Sequence, residues 1–171
     1  MLGEAELRAR ARRIRWVVSD VDGVLTDAGV FYSERGEELK RFSMRDGMGV
    51  ERLRAAGIET AFLTRERTGF APARAAKLGV RLVHTGVLDK LADLPRLERE
   101  TGAGPGQLAY IGDDVNDAAI MARIVEAGGL TAAPADAFEA ATRAALYATR
   151  ANGGQGAFRE FAEWILALRA P

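Results

Sequence analysis

Short apolar runs alternate with amphipathic segments along the chain, a pattern typical of strands that alternate with helices. Apolar runs predict strands at 16–19, 60–63, 80–84, 108–111 and 130–132. Apolar positions at helical spacing predict helices at 46–56, 70–78, 89–101, 114–127 and 158–168. Elements of these lengths favour an α/β fold, a three-layer sandwich in which helices cover both faces of a parallel sheet.

The segment after the first predicted strand breaks this alternation. Residues 30–32 and 39–42 flank the turn-rich stretch SERGEE, which predicts a β-hairpin. Asp46 can cap the helix that follows, and Gly57 can end it. Because no internal repeat or low-complexity linker divides the sequence, we expect a single domain over residues 1–171.

The composition argues against several kinds of protein. The 24 basic and 24 acidic side chains balance, which argues against a nucleic-acid partner. The absence of cysteine excludes a thiolate zinc site and a cysteine nucleophile, and a single histidine, His84, argues against a histidine metal cluster. No apolar run reaches membrane-spanning length and the first residues lack signal-peptide features, so we expect no membrane partner and a cytoplasmic location.

Two carboxylates follow the first predicted strand, where ligands bind in parallel sheets. Asp20 and Asp22 are separated by one residue and lead into a turn at Gly23. An Asp-x-Asp pair taken alone is usually surface acidity. This pair leaves an apolar strand, so both carboxylates can converge on one cation or reacting group.

Two other predicted elements carry a candidate polar group at the same edge. Thr64 ends the second strand, although a β-branched threonine is also an ordinary strand residue. Lys90 opens the helix after the third strand, where it could equally be a solvated surface lysine. Only three lysines occur among the 24 basic residues, so a lysine within a motif points to a need for a compact ammonium group.

A second acidic group follows the fourth predicted strand. It contains Asp113, Asp114 and Asp117, and a helix N-cap explains only one of the first two. These carboxylates would repel Asp20 and Asp22 unless a divalent cation lies between them. Because all the candidate ligand atoms are oxygen, the cation we expect is Mg²⁺.

Together these groups fit phosphoryl transfer. Asp20 would attack phosphorus and form an aspartyl-phosphate. Asp22 would protonate the leaving oxygen and then deprotonate the water that hydrolyses the intermediate. Mg²⁺, Thr64 and Lys90 would neutralise charge on the equatorial phosphoryl oxygens.

Several segments occur in a fixed order, namely DVDGVLTD (20–27), GEELKRFSMRDGMGV (36–50), Thr64, the Arg74 helix, Lys90, GDDVND (112–117) and GGQGAFRE (153–160). Through them the chain resembles the haloacid dehalogenase (HAD) superfamily and, within it, the 3-deoxy-D-manno-octulosonate 8-phosphate phosphatase family. The resemblance implies a Rossmann-like HAD fold, capless apart from a small β-hairpin flap. It also implies a Mg²⁺-dependent sugar-phosphate phosphatase, and a homotetramer in which a neighbouring subunit closes each site.

The resemblance implies a role for each matching residue. Asp20 would be the nucleophile and a metal ligand, Asp22 the acid/base that also offers its backbone carbonyl, and Asp113 the third protein ligand. The phosphoryl group would be held by Thr64 and Lys90. Supporting roles fall to Asp114 and Asp117, and the substrate pocket would be lined by Ser43, Met44, Arg45, Asp46, Gly47 and Arg74.

The chain departs from the octulosonate pattern beside Thr64. It continues with Arg65 and Glu66 where those enzymes typically have glycine and arginine, and Glu51 replaces a further arginine. A glutamate here would repel a substrate carboxylate and accept hydrogen bonds from hydroxyl or amino groups instead.

Glu66, followed by Arg74 and Lys77, is more similar to a sister branch that acts on nine-carbon ulosonate 9-phosphates. Arg74 and Lys77 lie one helical turn apart and could supply positive charge for the substrate carboxylate. This pattern favours a nine-carbon 9-phosphate over the eight-carbon 8-phosphate.

Three other functions stay open at this point. A receiver-like phospho-acceptor places its aspartate after the third strand, where this chain has His84 and Thr85. A catalytically idle oligomerisation domain, related to the C-terminal domains of acylneuraminate cytidylyltransferases, would not need these chemical groups. A phosphomutase would need a larger cap.

Overall fold

The computed structural model describes residues 2–170, and a parallel sheet forms its centre. Its strands are β1 (Trp16–Ser19), β4 (Glu59–Leu63), β5 (Leu82–His84), β6 (Leu108–Ile111), β7 (Leu130–Ala133) and β8 (Tyr147–Ala148). They are arranged in the order β5-β4-β1-β6-β7-β8. An antiparallel hairpin, β2 (Phe31–Ser33) and β3 (Gly36–Leu39), stands apart from this sheet.

Helices cover both faces of the sheet. They are α1 (Glu4–Arg13), α2 (Met44–Ala55), α3 (Phe70–Leu78), α4 (Lys90–Thr101), α5 (Val115–Glu126), α6 (Glu139–Ala144) and α7 (Ala157–Arg169). The core on one face is built with α1, α2, α3 and α7, and the core on the other with α4, α5 and α6. Val17 belongs to the first core and Val18 to the second, because successive strand residues point to opposite faces.

The predicted three-layer α/β architecture is confirmed, with differences at its edges. The helix at Phe70–Leu78 and the strand at Leu108–Ile111 have the predicted bounds. The patterns did not predict α1, α6 or β8. Only one residue of α1 is buried, Ala11, and β8 is two residues long, so neither produces a strong apolar pattern. Within residues 2–170, no helix is long and apolar enough to cross a membrane.

The hairpin is confirmed, but its turn is tighter than predicted. The backbone pairing continues to Ser33 and Gly36, inside the predicted turn. Side-chain bonds from Tyr32 Oη to Glu37 and from Ser33 Oγ to Glu38, both 2.7 Å, also cross between the strands. The expectation that Asp46 caps α2 was wrong. The cap is Ser43, whose hydroxyl accepts the N–H of Arg45 at 3.1 Å.

The strand order brings the chemical groups together. β1 lies between β4 and β6, and Ser19 at its end is level with Phe62 and Ile111 on the two neighbours. The chain therefore leaves three adjacent strands at one edge of the sheet, the topological switch point where such folds bind ligands.

The GGQG segment (153–156) packs against the loop that follows β1. The N–H of Gly154 donates to the carbonyl of Val24 at 2.9 Å. Gly154 has a φ of +64°, and a Cβ added there would lie 2.5 Å from the backbone nitrogen of Asp27. Glycine is therefore required twice over, for its backbone conformation and for the close approach.

Gly154→Ala should destabilise the protein by about 3 kcal/mol, because a left-handed alanine and a backbone clash combine. Gly102→Ala is the matched control, since its φ is +61° and nothing lies within 4 Å of the added Cβ. It should cost only about 1 kcal/mol. Urea unfolding of both variants measures the difference, and equal losses would show that the close approach contributes nothing.

Candidate active site

Asp20 leaves the end of β1 and is 5% exposed. Its Oδ1 accepts the N–H of Val21 at 2.7 Å, and its Oδ2 lies 3.0 Å from Lys90 Nζ. Burial raises the pKa of Asp20 well above its ordinary value; Lys90 opposes the rise, and Asp117 and Asp113 add to it. The carboxylate is therefore short of positive charge in the protein alone.

Lys90 is the buried cation of the site, with 1% of its surface exposed. Its Nζ lies 2.6 Å from Asp117 Oδ1, in addition to its contact with Asp20. Burial alone would lower the pKa of Lys90, but the carboxylates of Asp20 and Asp117 outweigh it and the pKa is raised. The ammonium group is thus fixed in its charged form next to Asp20.

Asp117 organises the turn after β6. Its Oδ1 accepts from Lys90 and from the hydroxyl of Tyr110 at 2.6 Å, and its Oδ2 accepts the N–H groups of Asp113 and Asp114 at 3.2 and 3.3 Å. Asp114 is the N-cap of α5. Each carboxylate oxygen of Asp117 thus accepts two hydrogen bonds. This residue therefore orients its neighbours in the site and is poorly suited to bind a metal ion directly.

A divalent cation would fit between Asp20 and Asp113. Carboxylate oxygens of Asp20, Asp113 and Asp117 lie within 4.8 Å of one another. Burial and then the neighbouring Asp117 raise the pKa of Asp113 to about 7. Carboxylates this close are stabilised in their ionised form by a cation, and their all-oxygen set suits Mg²⁺.

The remaining predicted ligand atom, the backbone carbonyl oxygen of Asp22, receives no hydrogen bond from residues 2–170. Gly23 next to it has a φ of +84°, and a Cβ there would lie 1.9 Å from Asp113 Oδ2. The Asp22–Gly23 backbone thus lies directly against the Asp113 carboxylate. The donor set predicted for Mg²⁺ is therefore brought together by the fold.

A cavity of about 350 Å³ opens over these groups. Its lining residues are Asp20, Asp22, Ala28, Val30, Glu37, Lys40, Thr64, Arg65, Glu66, Asp113, Asp114, Val115 and Asn116. Thr64 is buried at the end of β4, and its Oγ1 accepts the N–H of Glu66 at 3.1 Å. Three of the predicted catalytic residues, Asp20, Asp22 and Thr64, thus line one cavity next to the hairpin. The fourth, Lys90, is buried against Asp20 and does not line it.

The other residues predicted to line the substrate pocket lie outside this cavity in the isolated chain. Ser43 and Arg45 line a separate cavity with Arg41 and the GGQG segment. Arg74 donates to the Ser43 carbonyl at 2.8 Å and its guanidinium lies over the ring of Phe42. Neither Arg74 nor the exposed Lys77 lines the cavity above Asp20. Met44 is exposed and Gly47 packs against Arg74.

Asp46 is placed to hold α7. It is 2% exposed, and its Oδ1 accepts the N–H of Arg159 in the first turn of that helix at 3.0 Å. Its Oδ2 has no hydrogen-bond partner in the described part of the chain. Burial raises the pKa of Asp46 to about 6, although the hydrogen bond from Arg159 and the charge of Arg74 act to lower it.

Sequence reasoning missed two contributors to the site. Tyr110 is buried in β6 and donates to Asp117, and Lys40 lies 2.8 Å from the carboxylate of Asp22. A hydroxyl in an apolar strand and a lysine in an arginine-rich chain were the available signals. Neither shows which carboxylate it meets, because that depends on long-range packing.

This fold and this site define a class of protein, the HAD hydrolases. A solved structure from Legionella pneumophila, described as a HAD superfamily (subfamily III A) hydrolase, superimposes with a TM-score of 0.90 and 34% identity, covering 96% of this chain and 88% of that one. The predicted HAD fold is thereby confirmed. No protein-family model matches the chain.

Sequence relatives show which family within the HAD hydrolases this chain resembles. The 3-deoxy-D-manno-octulosonate 8-phosphate phosphatase of Yersinia pestis is 40% identical over 157 residues, which cover 92% of this chain and 82% of the relative. The same enzyme from Moraxella catarrhalis, solved with a magnesium ion, a phosphate ion and a KDO molecule, superimposes with a TM-score of 0.86 at 33% identity, covering 96% and 92% of the two chains. The chain belongs to the 3-deoxy-D-manno-octulosonate 8-phosphate phosphatase family, whose members are phosphoric monoester hydrolases.

The buried Asp46 predicts a specific pH dependence of stability. With a pKa of about 6 in the folded protein and 3.8 as the ordinary value, the folded state binds the proton more tightly. Its stabilising contribution is therefore fully present below 3.8 and is lost as pH rises through 6. Relative to Asp46→Asn, which cannot titrate, the native protein should lose up to about 3 kcal/mol over this range.

Urea unfolding at several pH values between these limits measures the effect. Glu51→Gln, an exposed change on the same helix, is the control and should track the native protein. If the difference between native protein and Asp46→Asn stays constant with pH, Asp46 does not titrate as its burial indicates.

Proposed function

We propose that this protein is a Mg²⁺-dependent phosphomonoesterase that hydrolyses a 3-deoxy-ulosonic acid phosphate through an aspartyl-phosphate on Asp20. The observation that carries the proposal is the grouping of Asp20, Asp113 and Thr64 around one cavity at the switch point of the sheet, with Lys90 buried 3.0 Å from the Asp20 carboxylate. A catalytically idle domain or a receiver-like switch has no use for this set together with Asp22.

Each residue of the site has a separate role in the proposed reaction. Bound Mg²⁺ supplies positive charge that lets an anionic phosphoryl group approach a carboxylate. Asp20 attacks phosphorus and the bond to the sugar oxygen breaks, while Asp22 gives its proton to that oxygen. Lys90 and Thr64 hold the phosphoryl oxygens, and Asp22 then takes a proton from the water that releases phosphate.

Asp20→Asn should fold and lose turnover by at least about a thousandfold, because an amide neither attacks phosphorus nor contributes the charge a cation needs. Phosphate release with Mg²⁺ and with a chelator measures this. Glu126→Gln, whose side chain in the native protein is 76% exposed, is the matched control and should keep native activity. Substantial activity in Asp20→Asn would refute the assignment of the nucleophile.

The substrate we propose first is the eight-carbon 8-phosphate, because relatives that span most of the chain carry that name. The nine-carbon 9-phosphate is the second candidate, supported by Glu66. Its side chain lines the cavity beside Thr64 and Arg65, so a carboxylate stands where the octulosonate pattern has an arginine. Neither Arg74 nor Lys77 lines this cavity in the isolated chain, so their contribution to binding the substrate carboxylate stays a prediction.

If Glu66 selects the sugar, Glu66→Arg should shift the ratio of kcat/KM values toward the eight-carbon substrate by about tenfold or more. The control is Glu34→Arg, the same charge reversal at the exposed hairpin turn. A native preference for the eight-carbon substrate with no shift in Glu66→Arg would reject the nine-carbon candidate.

We further propose a homotetramer in which the hairpins pack together and help to close the sites. Phe31, Tyr32 and Leu39 are 66%, 67% and 63% exposed on the hairpin. Apolar groups clustered on a small flap are typical of an interface. Each subunit would form a single domain. The enzyme would act in the cytoplasm, because phosphorylated sugars are too charged to cross membranes freely.

Light scattering should give a mass near four times 18.4 kDa. The double variant Phe31→Ser with Leu39→Ser should dissociate and lose activity together. Phe138→Ser is the control, since Phe138 is also 66% exposed but lies away from the hairpin, before α6. A native monomer with full activity at the same concentration would refute the tetramer.

A further inference from the structure

Lys40 joins the hairpin to the active site. It follows β3 directly, and its Nζ lies 2.8 Å from Asp22 Oδ1. The lysine side chain is 7% exposed and that of Asp22 is 25% exposed. The ammonium group also lies 5.8 Å from the ring centre of Phe70 at the start of α3. A cation in this position is largely removed from water and is held between a carboxylate and an aromatic face.

A second donor fixes the same carboxylate oxygen. The hydroxyl of Thr26 lies 3.2 Å from Asp22 Oδ1, and Thr26 is fully buried. Both side-chain hydrogen bonds found for Asp22 among residues 2–170 end on Oδ1. Oδ2 is therefore the oxygen left to carry a transferable proton, and its direction is set by the two bonds to its neighbour.

The two donors come from different parts of the fold. Thr26 belongs to the loop after β1, against which the GGQG segment packs. Lys40 comes from the hairpin, and the next residue, Arg41, pairs with Asp27 at 3.1 Å. The carboxylate of Asp22 is thus held between the loop after β1, which carries Asp20, and the end of the hairpin.

We propose that Lys40 is a positioning residue for Asp22, which aims Oδ2 at the leaving oxygen and stabilises the carboxylate left after proton donation. This inference rests on the acid role of Asp22 in the proposed function. As the phosphorus–oxygen bond to the sugar breaks, the proton on Oδ2 passes to the leaving oxygen, and the negative charge stays on Asp22 beside the Lys40 ammonium. Lys40 itself exchanges no proton with the substrate.

Leaving groups of different basicity test this role. An alkyl phosphate such as glycerol phosphate needs its leaving oxygen protonated, whereas 4-nitrophenolate leaves without that help. Lys40→Met should therefore lower kcat/KM for glycerol phosphate by about tenfold or more beyond its effect on 4-nitrophenyl phosphate. Lys40→Arg, which keeps the charge and donors, should recover part of that difference and remains informative if Lys40→Met folds poorly.

Two comparison variants make the outcomes distinct. Arg143→Met removes an exposed charge from α6, away from the hairpin and the cavity, and should leave both esters unaffected. Asp22→Asn should show the full discrimination between the esters. If Asp22→Asn discriminates but Lys40→Met loses activity equally on both esters, or loses none, the positioning role is overturned and the proposed function stands. If Asp22→Asn does not discriminate, the acid assignment itself fails and this inference fails with it.

Discussion

The site depends on one buried cation among carboxylates. Lys90 neutralises Asp20 and Asp117 at distances of 3.0 and 2.6 Å, and Asp117 in turn holds the backbone of the turn that carries Asp113. Without the ammonium group, buried carboxylates would face one another unpaired, which is among the more costly arrangements in a protein interior. One lysine does not balance the whole cluster. The remaining negative charge creates the demand for a divalent cation and, with it, for an anionic substrate.

The C-terminal region holds the catalytic loop in place through contacts remote in sequence. Asp46 on α2 accepts from the first turn of α7, and Gly154 lies against the loop between Val24 and Asp27. Asp46, which the resemblance assigns to the substrate pocket, thus packs against α7 in the isolated chain. The loop after β1 also buries Val21, Val24 and Leu25 in the core, so its own side chains and these contacts together fix the position of Asp20. Stability and catalysis are therefore linked at this edge of the sheet.

In the proposed tetramer, the hairpin would link subunit assembly to the active site. One side of it exposes aromatic and aliphatic groups, and its base delivers Lys40 to the carboxylate of Asp22. In that proposed assembly, a hairpin anchored in this way would keep its contact with Asp22 when a neighbouring subunit packs against it. Val30, Glu37 and Lys40, from the hairpin and its two ends, form part of the cavity wall.

The sequence by itself determined the layered α/β fold, the strand-end aspartates and the family. Apolar periodicity dictates which faces are buried, and parallel strands place their carboxyl ends at one edge whatever the loops do. The elements α1, α6 and β8 escaped prediction because they bury too few residues to impose a period. Only the tertiary structure decided what Lys40, Tyr110 and Asp46 contact, since each meets a partner from another element. Those pairings follow from how the hairpin lies against the loop after β1, how α5 packs on β6 and how α7 packs on α2. Such packing depends on shape and distance that no local pattern encodes.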